Sequence, residues 1–74
     1  MRDLARLARL DMNLMVALQV LIEEQSVSLA AQRLFITQSA MSRTLARLRE
    51  LLDDPLFVRL AHGMRPTPRA LQIS

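Results

Sequence analysis

Met41, Leu45, Leu48 and Leu52 stand at i, i+4, i+7 and i+11, a spacing that puts four large apolar side chains on one face of a helix. A strand would scatter the same residues over both its faces. Ser39, Ser42, Arg43, Ala46, Arg47 and Glu50 are left to share the outward face. A second stripe of the same period, Leu14, Ala17, Leu18, Leu21 and Ile22, predicts another core helix upstream. Asp11 or Asn13 caps its start, and it ends between Glu23 and Ser26. Between the two stripes, Leu29, Ala30, Ala31 and Leu34 make a short helix of about two turns with Ser28 as its cap. The alanines let another helix cross close to its backbone. Phe35, Ile36 and Thr37 break the pattern, and Thr37 or Gln38 caps the helix that runs over about residues 38–52. Leu34, Ile36, Met41 and Leu45 are expected to fill the angle between the short and the long helix.

Asp53, Asp54 and Pro55 stop the long helix, because the residue before a proline is pushed out of the helical region. Leu56 to Leu60 reads as a strand, Ala61 to Gly63 as a turn and Met64 to Arg65 as a return strand. Thr67 and Pro68, cap and first helical residue, open a further helix. The expected fold is mainly α, a winged helix-turn-helix: a three-helix core, a small β-hairpin wing and the start of a linker helix. Residues 1–10 are an N-terminal extension, 11–66 the winged domain and 67–74 the first turns of the linker. At 74 residues the chain holds one small core that buries about 60% of the surface its unfolded form exposes, so a partner subunit fits its size.

Composition narrows the chemistry. With no cysteine, one histidine and one glycine, there is no thiolate, no histidine metal cluster and no glycine-rich phosphate loop, and neither an enzyme nor a cofactor or metal site is expected in this segment. His62, next to Gly63, reads as the tip of a turn, and the scattered methionines as core filler. All ten basic residues are arginine. Residues 1–37 balance four arginines against four acids, whereas residues 38–74 set six against three, so the whole formal excess of +3 lies in the second half. Arginine forks suit phosphate oxygens and the guanine edge, which points to nucleic acid first and anionic lipid second. No apolar run approaches the roughly 20 residues that span a bilayer. The first ten residues alternate arginine and leucine without the continuous apolar stretch or cleavage site of a signal peptide. In a helix-turn-helix the second helix enters the major groove, about 12 Å wide, so Gln38, Ser39, Ser42 and Arg43 come within reach of base edges or phosphates.

The run AAQRLFITQSAMSRTLARL, followed by LLDDPLFVR and TPRA, resembles the N-terminal DNA-binding domain of LysR-type transcriptional regulators over about residues 11–74. It looks most like the branch containing the NodD and LeuO regulators, because Arg49 stands where most of the family has glutamate. The resemblance implies that Thr37, Gln38 and Ser39 belong to the DNA-binding residues, Gln38 and Ser39 reading bases or positioning the helix, and that Ser42 and Arg43 contact base edges or phosphate. It further implies that Arg47 meets backbone phosphate, that Arg59, Arg65 and Arg69 surround a wing beside the minor groove, and that Arg65 is the one to insert. Ser28 is a candidate phosphate contact at a helix N-terminus. Plain capping by Ser28, Gln38 and Ser39, and solvated charge on the hairpin, are the structural alternatives.

Three departures from the family pattern stand out: Phe35 at a position where glycine of positive φ is common, Asp53 and Asp54 in a link that usually contains glycine, and Pro66 in place of an aliphatic residue. Members of the family continue through a long dimerisation helix into an effector domain. The implied partner is therefore double-stranded DNA carrying an inverted-repeat operator, bound by a homodimer or higher oligomer joined through the linker helix, with no membrane contact, at the nucleoid of the bacterial cytoplasm. The competing expectations are a winged-helix module contacting a partner protein through the N-terminal helices and, more remotely, a membrane-surface peptide built on residues 1–10.

Overall fold

The computed structural model describes residues 12–73. The expected extension at 1–10 and a cap at Asp11 lie outside the described residues. In chain order the elements are α1 (Met12–Glu24), α2 (Val27–Arg33), α3 (Gln38–Leu52), β1 (Phe57–Arg59), β2 (Met64–Pro66) and α4 (Pro68–Ile73). They form the mainly helical winged plan that the sequence predicts. Helix α3 has the predicted bounds, and its stripe of Met41, Leu45, Leu48 and Leu52 is buried. Against it pack Leu14, Ala17, Leu18 and Leu21 of α1, with Val20 buried as well and Ile22 at the margin. Asn13 is the second residue of α1 and so does not cap it.

Helix α2 crosses this pair through Ala30 and Ala31, both buried. Larger side chains there would hold the backbones apart. The cap of α2 is Ser26, not Ser28: the Ser26 side chain accepts the Leu29 N–H at 3.2 Å. Ser28 falls one residue inside the helix because the chain leaves α1 through a single left-handed residue, Gln25 at φ 54°, which starts α2 sooner than the apolar spacing suggests. The far end of α2 closes with the Phe35 N–H on the Gln32 carbonyl and the Ile36 N–H on the Ala31 carbonyl. That paired closure needs a left-handed residue, usually glycine. Phe35 occupies it at φ 57° with its side chain 95% exposed. Ile36 is 41% exposed and does not fill the interhelical angle, because this reversal carries it past the core; Leu34 stays half-buried against it.

After α3, Asp53 turns left-handed at φ 49°, and the Asp53 and Asp54 N–H groups both reach the Arg49 carbonyl. The predicted strand from Leu56 starts one residue late. Leu56 is itself left-handed at φ 65° and wholly buried, inside a three-residue turn closed by the Phe57 N–H on the Pro55 carbonyl at 2.7 Å. The hairpin that follows pairs Phe57 with Pro66, Val58 with Arg65 and Arg59 with Met64. Phe57 and Met64 turn inward to the core. Thr67 caps α4 as predicted, its hydroxyl accepting the Ala70 N–H at 3.2 Å.

Two tethers hold the outer parts. The Met64 N–H donates to the Gln25 carbonyl at 3.1 Å, tying the hairpin to the α1–α2 corner. Arg33 bridges Glu23 at 2.6 Å and Glu24 at 3.1 Å, clipping α2 to α1. The Glu23 carboxyl is held below its ordinary range, first by the Gln19 amide and then by Arg33, and the Arg33 guanidinium is held above its own.

A β-carbon at Gly63, whose φ is 89°, would lie 2.7 Å from the Gln25 carbonyl oxygen. Gly63→Ala is therefore expected to cost about 1–3 kcal/mol, a strained backbone plus a lost tether, measured by urea denaturation. Because folding lowers the Glu23 pKa, its contribution is present above the ordinary carboxylate range and disappears as pH falls through the folded value. Glu23→Gln should accordingly lower the melting temperature slightly at neutral pH and leave it unchanged in acid.

Candidate nucleic-acid interface

Helix α3 buries one face, so its composition decides what the other can meet. Ser39, Ser42, Arg43, Ala46, Arg47 and Glu50 are exposed along it. Thr37 caps the helix by accepting the Ala40 N–H at 3.1 Å, which settles the choice between Thr37 and Gln38. That cap leaves the Gln38 side chain free to turn sideways, where its Oε1 accepts the Ser28 hydroxyl at 3.2 Å. The first turns of α2 and α3 are thus joined at the surface.

Ser28, Gln38 and Ser42 form one wall of a concave groove of about 470 Å³, and Arg59, Leu60 and Ala61 of the wing form another. Arg43 and Arg47 lie on the adjoining face of α3, around a shallow depression shared with Ala40, Thr44, Ala46 and Glu50. Arg65, opposite Val58 on the hairpin, and Arg69, in the first turn of α4, are exposed but border neither depression. Of the ten residues singled out from sequence, four gather in the groove, two stand beside it, Thr37 and Ser39 flank the start of α3, and two sit on the outer wing side.

The arginines on this side form no ion pairs among the described residues. Among the described residues the ion pairs are those of Arg33 with Glu23 and Glu24, on the α1–α2 flank. Arg43, Arg47, Arg59, Arg65 and Arg69 are exposed and pair with no carboxylate in that set. Arg49 differs: its Nε donates to the Pro55 carbonyl at 2.8 Å, so it braces the turn after α3 while also bordering the groove. Sequence reasoning left it outside the site, since the acceptor is a backbone carbonyl that no side-chain pattern announces.

His62 is exposed at the hairpin turn, and no group of three or more potential metal ligands converges among the described residues. No helix among them is long and apolar enough to cross a membrane. What the site offers is a ridge of hydroxyls, one amide and free guanidinium groups beside a basic hairpin, a surface shaped to approach a polyanion.

Residues 12–71 match the family described as bacterial regulatory helix-turn-helix protein, lysR family. The HTH-type transcriptional regulator YidZ of Salmonella newport is 52% identical over 62 residues, which is 84% of this chain and 19% of that protein. The chain thus spans about a fifth of the length of the curated relatives it matches. Among solved structures, the probable transcriptional regulator PA0477 from Pseudomonas aeruginosa superposes with a TM-score of 0.88 at 40% identity, covering all of this chain and 24% of that one. The BenM DNA-binding domain crystallised with catB site 1 DNA superposes with a TM-score of 0.77 at 29% identity, covering 84% of this chain and 70% of that one.

Thr37→Ala should destabilise the fold by about 1 kcal/mol through loss of the cap, and Thr37→Ser should retain it; thermal unfolding of the two variants measures the difference.

Proposed function

The chain belongs to the lysR family of bacterial regulatory helix-turn-helix proteins, and from that membership we propose that it is the sequence-reading, DNA-binding unit of a transcriptional regulator. The observation that carries the proposal is the row of exposed arginines on α3 and the hairpin that, among the described residues, form no ion pair with a carboxylate, whereas Arg33 is paired with Glu23 and Glu24. The likeness to a domain crystallised with DNA supports it.

In this reading α3 enters the major groove by its N-terminal turns. Gln38 and Ser39 face base edges, Ser42 and Arg43 meet base edges or phosphate, and Arg47 and Ser28 hold phosphates. Thr37 fixes the angle at which the helix starts. Arg59, Arg65 and Arg69 follow the backbone beside the minor groove, where narrowing concentrates negative potential and favours Arg65. Phosphate contacts supply most of the affinity and base contacts set the register. Residues 67–74 open a linker helix of the longer protein, through which two copies would place their α3 helices about 34 Å apart on an inverted repeat. The site of action is the bacterial cytoplasm, at the nucleoid.

The test is fluorescence anisotropy with a duplex selected by the chain from a randomised pool, against its scramble, over a salt series. Wild type should prefer the selected duplex, with log affinity falling by about 0.9 per phosphate contacted for each unit of log salt. Arg43→Ala should weaken the preferred duplex by about 1–3 kcal/mol with helicity unchanged by circular dichroism. Equal affinity for both duplexes would refute the proposal.

A further inference from the structure

We infer that Asp54 is a positioning residue for the wing, setting where Arg59, Arg65 and Arg69 stand relative to α3. The inference rests on the DNA-binding reading above and names a residue that reading leaves out. One carboxylate oxygen of Asp54 accepts two hydrogen bonds, from the Leu56 N–H and from the Thr67 hydroxyl, each at 2.8 Å. The Thr67 N–H in turn donates to the Leu56 carbonyl at 2.8 Å, and the Thr67 hydroxyl caps α4. Asp54 therefore ties together the entry to β1, the exit from β2 and the start of α4.

The tie acts on one of the left-handed points of the backbone. Leu56 is a β-carbon-bearing residue at φ 65° with no side-chain exposure, and a conformation of that kind persists only where its surroundings over-determine it. Leu56 cannot turn out toward solvent without leaving the core. Its N–H has Asp54 as acceptor, and the hairpin leaves from the next residue. Without the carboxylate, the Leu56 N–H and the Thr67 hydroxyl lose their common acceptor and the hairpin is held less firmly at its base, leaving the Thr67–Leu56 bond and the Met64 tether.

Charge alone predicts the opposite effect of the same substitution, which makes the inference testable. Asp54→Ala removes a negative charge from a DNA-binding chain and by electrostatics should tighten binding. Positioning predicts that it weakens binding of the selected duplex about tenfold, the loss of one arginine contact, with a salt dependence shallower by about 0.9 for each phosphate released. Asp54→Asn, which keeps an acceptor oxygen, should bind at least as tightly as wild type. Asp53→Asn removes the same charge one residue away and should do likewise. Amide hydrogen exchange of the free chain gives a second readout: in Asp54→Ala, Thr67, Ala70 and Leu60 should exchange faster while Leu45 and Leu48 of α3 keep their protection. The inference is overturned if Asp54→Ala binds as tightly as Asp53→Asn, or if exchange rises equally throughout α3. If wild type itself shows no duplex preference, the DNA-binding reading fails, and the exchange pattern still decides whether Asp54 holds the hairpin.

Discussion

Burial of a single face of α3 is the constraint from which the rest of the molecule follows. Met41, Leu45, Leu48 and Leu52 fix that helix against α1, and because burial uses one stripe only, the residues between are committed to solvent and to whatever meets the surface. Helix α2 has to cross the pair without lifting α3 away, which is why alanines rather than leucines occupy the crossing. The recognition surface is thus a by-product of the core: the side chains proposed to face DNA contribute little to folding, and those that fold the domain are hidden from it.

Short connections are the second theme. The chain reverses after α1, α2 and α3 with a left-handed residue each time, Gln25, Phe35 and Asp53, and turns left-handed again at Leu56. None of these is glycine. Each is stabilised instead by hydrogen bonds that converge on it or on its neighbours, the paired closure after α2 and the Arg49 and Pro55 carbonyls after α3. The one glycine is kept for the hairpin tip, where a side chain would collide with the Gln25 carbonyl. A domain assembled this way has little slack between its elements.

The helices and the order of elements were legible in the sequence because they are written in apolar period and punctuation: the four buried residues of α3 follow from spacing, and its bounds from the cap at Thr37 and the stop at Pro55. The capped helix start at Thr67 was equally legible, being a property of two adjacent residues. Ser26 was not distinguished from Ser28, since either serine can cap and the choice depends on how soon the chain recovers from Gln25. Ile36 looked like core by its chemistry, and only the reversal at Phe35 takes it outward. The exposed arginines of α3 could be placed by period. The Arg49 brace, the Ser28–Gln38 contact and the tether from Met64 to Gln25 could not, because each joins different elements across a turn or the fold, two of them through backbone carbonyls that carry no residue signature.

A two-stranded hairpin has two outer edges, of which β2's is partly held by the Met64 bond to Gln25, and an open edge can recruit a strand from another molecule. Here the strands are three residues each, one edge ends in a proline that has no N–H to donate, and Arg59 and Arg65 project from the pair into solvent. Two like-charged hairpins repel before their backbones can pair. The charge that suits the wing to a polyanion therefore also guards the protein against its own copies, and a variant that neutralised these arginines would risk cross-strand aggregation as well as weaker binding.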